Sequence, residues 1–171
     1  MKSFKELLAE QVEDKRIVIS PSPTADTRTC DWSKVTKEQL LKSSKMHIGD
    51  VKKGLEFFID KLKDSGDRHD HDKISEIESF HSDFQTGFKN DKWFRNHKKV
   101  NRHHINDSDG TPKDIDLVDV IEYVTDCVMA GMARSGNVYT LELPNELLQK
   151  AFQNTVECLK NNVKVKDRLE K

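Results

Sequence analysis

Histidine and aspartate recur at four places along this chain, in an order that could build a metal site. His47 stands alone, His69–Asp70 is an adjacent pair, three more histidines fall within residues 97–104, and Asp126 follows. Neutral imidazole and carboxylate together are the ligand mix that suits zinc, iron or manganese. We therefore predict a divalent transition-metal site with one or two ions. Its predicted ligands are His47, His69, Asp70, His97, His103, His104 and Asp126; the residues alone leave His71–Asp72 open as the alternative His–Asp pair.

Each of these places also has a simpler explanation. A lone histidine on an apolar helix face, as His47 would be, is more often a hydrogen-bonded core residue. Aspartates beside His69 are also favoured at a helix start by capping and by the helix dipole. The basic run at residues 92–104 could be a surface helix that contacts phosphate. Asp126 could simply face water, although its helix is apolar almost all round and a carboxylate there calls for a cation.

The histidine-rich run at residues 97–104 determines which side chains could act together. On a helix, His97, Asn101 and His104 are spaced by four and seven residues and share one face. His103 would point about 100° away. The choice between His103 and His104 as the ligand therefore stays open, and Asn101 could either bind substrate or orient a ligand.

The elements that must position these side chains are predicted to be helices. Apolar periodicity indicates helices over residues 3–14, 36–65, 69–86, 91–104, 115–134 and 144–162, with a short extended segment at 16–19 and a turn at 106–112. A capping box at Thr36 and Gln39 predicts where the second helix begins. The predicted fold class is all-α, a bundle of about five to seven helices. We divide it into a helix-and-loop extension (1–36), a metal-binding domain (37–162) and a tail that frays (163–171).

Composition excludes some classes of function. The 171 residues suffice for one domain with a full hydrophobic core. Because 29 basic residues stand against 30 acidic ones, no general electrostatic reason to bind nucleic acid or membrane arises. No apolar run approaches the length of a membrane span, and the N-terminal residues do not resemble a secretory signal. Three widely spaced cysteines without a CxxC pair favour a reducing cytoplasm.

The order of the histidines and aspartates resembles the HD superfamily of metal-dependent phosphohydrolases. In that superfamily a helical bundle holds metal through a histidine, an adjacent His–Asp pair and a distant aspartate. The corresponding residues here are His47, His69–Asp70 and Asp126. The resemblance implies an HD-domain-like helical bundle around the metal.

Two narrower likenesses sharpen this one. The HD-GYP branch, which holds two or three ions, adds a lysine three residues after the aspartate, then a lone histidine, then a His–His pair; Lys73, His97 and His103–His104 follow that order at closer spacing and without the GYP element. An uncharacterised family of small phage and bacterial proteins is closer still. Its motifs look like His-Asp-x-Ser-Lys, His-x-x-x-Asn-x-His-His and an aspartate in an Ala- and Gly-rich helix. Residues 69–73, 97–104 and 126–131 match them, with Asp72 in place of the serine.

These likenesses imply hydrolysis of a phosphoester, in a nucleotide above all, by a metal-activated water. Two ions bridged by Asp70 would lower the pKa of a bound water and polarise a phosphoryl oxygen. Lys73 lies one turn from Asp70 and is the first choice as phosphate partner, with Asn101 and Arg102 as further substrate-binding candidates. Asp70 and Lys73 are the predicted catalytic residues. A chain of phage origin would act in the host cytoplasm.

Two other functions remain open at this point. The same fold with two irons can activate oxygen, as in the HD-type oxygenases. A nucleic-acid-binding or protein-binding module with a structural metal is the non-catalytic alternative. Its support is the basic run at 92–104, where Trp93 and Phe94 could stack on bases.

Overall fold

The computed structural model describes residues 16–22, 24, 26–107 and 110–166. The described residues are 65% helix and 4% strand, which confirms the predicted all-α class. The helix predicted over residues 3–14 lies outside the described residues, as does the tail after residue 166. Among the described residues, no helix combines the length and the apolar character needed to span a membrane.

The described elements are two short strands, one 3₁₀ turn and six α-helices. In chain order they are β1 (Ile17–Ile19), a 3₁₀ turn (Trp32–Lys34), α1 (Lys37–Arg68), α2 (His71–Ser75), α3 (Ile77–Gln85), α4 (Lys92–Val100), α5 (Leu117–Ser135), α6 (Asn145–Asn161) and β2 (Val163–Val165). The chain divides into two compact units, one of residues 1–57 with 159–171 and one of residues 58–158.

In the first unit, the extended segment predicted at 16–19 is confirmed as β1. It pairs in parallel with β2, so that Ile17 lies opposite Val163 and Ile19 opposite Val165. Residues 163–165, which we expected to fray, are therefore held by strand pairing. The capping box at the start of α1 is also confirmed, because the Gln39 N–H donates to Thr36 Oγ1 at 3.2 Å and the Thr36 N–H donates to Gln39 Oε1 at 2.9 Å.

In the second unit, the predicted helix over 69–86 is two shorter helices. α1 runs past Gly66 to Arg68, and the chain reverses at Asp70, whose φ of 53° lies in the left-handed region. Aspartate tolerates this conformation better than most residues because its short side chain can bond locally. A second break at Glu76 separates α2 from α3.

The helix predicted over 91–104 ends at Val100, and this changes the geometry of the histidine-rich run. Asn101 is extended, with φ −98° and ψ 113°, and its side-chain amide donates to the His97 carbonyl at 3.0 Å. Because Asn101 and His104 lie beyond the helix, the expectation that they share a helical face with His97 is wrong. His103 and His104 sit instead in the turn that follows α4.

Two clusters of apolar side chains hold the second unit around this turn. Ile105, Ile115 and Ala151 form a buried core against which Tyr123 and Leu147 pack. On the other side, Phe80, Phe84, Phe88, Trp93 and Phe94 form an aromatic cluster from α3, α4 and their connection. α5 begins at a capping box made by Asp116 and Asp119 and ends at Gly136, which adopts φ 71°. The first cluster holds the chain at Ile105, directly after His104, and the second holds α4, which carries His97.

Candidate metal centre

Asp70 lies at the centre of the candidate site, at the reversal between α1 and α2. Its backbone N–H donates to Asn101 Oδ1 at 3.1 Å, which fixes the left-handed turn from the opposite segment. The two carboxylate oxygens face different partners. Oδ1 faces His97 Nε2 at 3.5 Å and His103 Nε2 at 3.6 Å, whereas Oδ2 faces His69 Nε2 at 3.6 Å.

One set of ligand atoms, which we call the inner group, lies on the Oδ1 side. Asp70, His97, His103 and His104 each offer one ligand atom, and these atoms all lie within 4.8 Å of one another. The 3.5–3.6 Å separations are too long for hydrogen bonds. Asp70 Oδ1 and His104 Nε2 are buried and have no hydrogen-bond partner. Buried polar atoms without a partner are rare in proteins, and a bound cation would satisfy both.

A second set, which we call the outer group, consists of His69, Asp70 and Asp126. His69 Nε2 lies 3.5 Å from Asp126 Oδ1, and the side chains of His69 and Asp126 are 29% and 33% exposed. Those of His97 and His103 are only 2% and 3% exposed. The inner group is therefore enclosed, while the outer group is reached by solvent.

The far nitrogen of each of three histidines is held by a carboxylate. His97 Nδ1 lies 2.9 Å from Asp72 Oδ2, and the Nδ1 atoms of His69 and His103 lie 2.9 and 3.0 Å from the same oxygen, Glu122 Oε1. The other Glu122 oxygen accepts a hydrogen bond from Ser65. Each carboxylate favours the tautomer with its proton on Nδ1, which leaves the Nε2 lone pair aimed at Asp70.

His69, His103 and Glu122 could also be taken as a metal-binding set of their own. Their N···O distances of 2.9 and 3.0 Å are those of hydrogen bonds, and the same nitrogens cannot serve both purposes. We therefore assign Glu122 the role of orienting both imidazoles.

Three residues predicted to bind substrate have other partners in the structure. Asn101 is buried, donates to Asp72 Oδ1 at 2.9 Å and accepts from the Asp70 backbone, so its side chain contacts candidate site residues on both sides. Arg102 donates to both oxygens of Asp119, at 2.7 and 2.8 Å. Lys73 forms an ion pair with Asp70 Oδ2, on the side of the outer group.

The other predicted site residues fall as follows. His103 and His104 both belong to the inner group, so the choice between them does not arise. His47 is exposed on α1 in the first unit, and the metal-capable groups found among the described residues do not include it. On the apolar helix face where we placed His47, Val51 and Leu62 are exposed and Gly54 and Phe58 are half-buried. Trp93 is 5% exposed and stacks on His97, so it supports that imidazole and is not free to stack on a base.

Burial and charge set the protonation of three groups in the site. Burial lowers the pKa of His104 to about 4, with His103 and His97 adding to the effect, so its imidazole is neutral at pH 7. Burial alone would raise the pKa of Glu122, but hydrogen bonds from His103, Ser65 and His69 lower it to about 2. Burial opposes ionisation of Asp70 as well, yet the Lys73 ammonium holds the pKa of Asp70 below its usual value. Neutral imidazoles and ionised carboxylates are the forms that bind metal.

Gly110 lies against the segments that carry Lys98 and His104. A Cβ atom at this position would lie 2.7 Å from the His104 carbonyl oxygen and 2.8 Å from that of Lys98. Such contacts are far inside van der Waals range. Glycine is therefore required at position 110, because any side chain there would collide with the His104 and Lys98 carbonyls.

Sequence reasoning missed three supporting residues, namely Ser65, Asp72 and Glu122. Asp72 looked like a mild departure from a serine-containing motif, and Glu122 looked like one member of an acidic stripe. A signal for Glu122 existed, since its spacing from Asp126 puts both on adjoining parts of α5. No local pattern marks Ser65, which lies 57 residues before its partner.

A cavity of about 500 Å³ lies behind the site in the second unit. Its wall includes Ser65, Asn101 and Glu122, with Lys61, Arg68 and Arg102 and several carboxylates around them. These are the supports of the metal-capable side chains, not those side chains themselves. The cavity therefore borders the candidate centre from its supporting side.

No family model, no curated protein and no solved structure matches this chain.

Proposed function

We propose that this protein is a metal-dependent phosphohydrolase that cleaves a phosphoester, with a nucleotide as the favoured substrate class. The observation that carries the proposal is the division of Asp70, whose Oδ1 faces the inner group and whose Oδ2 faces the outer group. A carboxylate with different imidazoles near its two oxygens could hold one metal ion on each side. The donor set of histidines and aspartates suits zinc, iron or manganese.

The residues present fit a metal on independent grounds. Two buried ligand atoms, Asp70 Oδ1 and His104 Nε2, have no hydrogen-bond partner. Carboxylates orient His69, His97 and His103 through Nδ1, which is the usual support of metal-bound histidine. Without a cation, the common orientation of these three imidazoles toward Asp70 would be unexplained.

The contrast between the two groups favours catalysis over a purely structural metal. Structural sites are closed by four protein ligands, and catalytic sites keep a position open. The inner group offers four ligands, of which His97 and His103 are buried and Asp70 and His104 are half-buried. The outer group offers three, on side chains that solvent reaches. The outer group is therefore where a substrate and a water would be brought together.

The chain's own residues have distinct roles in this proposal. When bound, the ions supply a lowered pKa for a coordinated water and Lewis-acid polarisation of a phosphoryl oxygen. His69, Asp70 and Asp126 hold the exposed side of the centre, and Glu122 fixes the His69 ring. Lys73, already paired with Asp70 Oδ2, places a positive charge beside a phosphoryl oxygen bound there. The resemblance of the motifs to the HD superfamily supports the same reaction class.

Metal content and turnover together test the proposal. The protein is loaded with manganese, iron or zinc, analysed for bound metal, and assayed on bis(p-nitrophenyl) phosphate and a panel of nucleotides. Asp70→Asn is the key variant because asparagine also tolerates the left-handed backbone. Asp60→Asn, at an exposed position on α1, is the control.

We expect two equivalents of metal and phosphoester cleavage in the wild type and the control, and loss of both in Asp70→Asn. A protein that takes up no metal, or that binds two ions and cleaves no phosphoester, contradicts the proposal. Oxygen consumption by the di-iron form in place of hydrolysis would favour the HD-type oxygenase reaction.

A further inference from the structure

The long helix α1 carries an apolar stripe with a period of seven residues. Leu41, Ile48, Leu55 and Leu62 follow one another at this interval, and Val51 lies between two of them. Seven residues of an α-helix return to within about 20° of the starting direction. The five side chains therefore form one narrow line along the helix, which is the pattern that lets two helices pack side by side.

This stripe faces solvent. Leu41, Ile48, Val51, Leu55 and Leu62 are between 36% and 67% exposed. Leu40 and Ile59, which border the stripe, are 52% and 49% exposed. An extended apolar line of this kind differs from scattered exposed leucines, which are normal on protein surfaces.

The part of α1 that belongs to the first unit contacts the rest of that unit with its opposite side. Ser43 is buried and shares a hydrogen bond with Thr24, and Lys53 Nζ donates to the Val18 carbonyl at 2.9 Å. A Cβ atom at Gly54 would lie 4.0 Å from Leu159 Cδ1. On a helical projection these three positions lie about 120–220° from Leu41. The side of α1 that packs on the first unit carries small and polar residues together with the half-buried Met46 and Phe57, while the apolar stripe points away from it.

We propose that a second copy of this chain covers the stripe, with α1 of one protomer packed against α1 of the other. A two-fold contact uses the same patch on both subunits. A straight apolar stripe that repeats every seven residues is complementary to a second copy of itself. The exposed apolar surface of the seven side chains is on the order of 600 Å² per chain. A symmetric pair would bury about 1,200 Å² in total, which reaches the lower limit for a stable protein–protein interface.

The test measures the mass of the full chain in solution by light scattering and by sedimentation at several concentrations. The variants Ile48→Glu and Leu55→Glu place a charge in the middle of the stripe. Ile74→Glu is the matched control, because Ile74 is 76% exposed and lies on α2, outside the stripe. Circular dichroism and metal content of every variant report whether the fold and the metal centre persist.

We expect a dimer for the wild type and for Ile74→Glu, and a folded monomer for Ile48→Glu and Leu55→Glu, with the dimer dissociation constant raised at least a hundredfold. A wild-type monomer at micromolar concentration overturns the proposal, as does a dimer that survives both stripe variants. Should a central charge prevent folding, Leu41→Glu near the start of α1 provides the same measurement. Hydrogen exchange of residues 41–62 in the wild type must then slow as the protein concentration rises.

The dimer and the proposed reaction can fail independently. Loss of dimerisation with full metal content leaves the metal centre standing. Absence of bound metal in a protein that is dimeric through α1 contradicts only the reaction.

Discussion

His97 and Asp72 form a pair in which the carboxylate fixes the imidazole, with 2.9 Å between Asp72 Oδ2 and His97 Nδ1. Asp72 comes two residues after Asp70, so the same turn of chain supplies a metal-capable carboxylate and the support of a ligand from α4. Asn101 reinforces the pair by donating to Asp72 Oδ1 at 2.9 Å. The turn at Asp70 therefore contributes to the inner group in two ways. Asp70 offers a ligand atom, and Asp72 holds the His97 ring.

Asp72→Asn is expected to weaken metal binding at the inner group by about 10–100-fold, the usual cost of removing a carboxylate that supports a histidine ligand. Asparagine keeps the size of the side chain but can present its amide to Nδ1 and loses the charge. Competition with a chromophoric chelator measures the affinity of each ion, with Asp60→Asn as the control. Unchanged affinity would show that His97 needs no support from Asp72.

Glu122→Gln is expected to weaken both metal positions, because Glu122 Oε1 holds His69 of the outer group and His103 of the inner group. Two-step metal titrations of this variant and of Asp72→Asn make the comparison. The glutamine variant should lose affinity in both steps, whereas Asp72→Asn should change the inner step alone. A glutamine variant that changes a single step would remove Glu122 as the shared support.

Gly110→Ala is expected to displace His104, since the new Cβ would press on the His104 and Lys98 carbonyls. Inner-group metal affinity and thermal stability should both fall. Gly66→Ala is the matched control, because nothing lies within 4 Å of its Cβ position inside α1. Alanine there should raise stability by about 0.5–1 kcal/mol through helix propensity. Equal effects of the two substitutions would contradict the close approach at Gly110.

The stability of the metal-free protein is expected to fall as pH drops from about 6.5 towards 4. The folded-state pKa of His104 is about 4, against 6.5 for an unperturbed histidine, so the unfolded chain binds more protons between these two values. Stability therefore rises with pH across that window and is lost as pH falls through it. Thermal melts in chelator should show a shallower pH slope for His104→Gln, while His81→Gln at an exposed position should match the wild type. An unchanged slope in His104→Gln would contradict the burial of this imidazole.

The residue types that build the centre could be predicted from the sequence, but their arrangement could not. His69, Asp70, His97 and Asp126 stand out because imidazole and carboxylate together are the ligand types that transition metals prefer. The spacing argument within residues 97–104 failed, because it assumed that the helix continues to residue 104. The helix ends at Val100. Past that point the backbone is extended and then turns, so both His103 and His104 reach the same group.

Local sequence determined the all-α class, the capping boxes at the starts of α1 and α5, and the chemical kind of ligand, because propensity, capping and ligand chemistry act over a few residues. Tertiary structure alone decided that Asp72 and Glu122 support the histidines, that Arg102 pairs with Asp119, and that His47 lies in the first unit. The hydrogen bonds of Asp72, Glu122 and Arg102 join side chains that are 17 to 53 residues apart in the chain. A hydrogen-bond partner at such a separation depends on which turns the backbone takes between them, and the left-handed turn at Asp70 has no periodic pattern to reveal it.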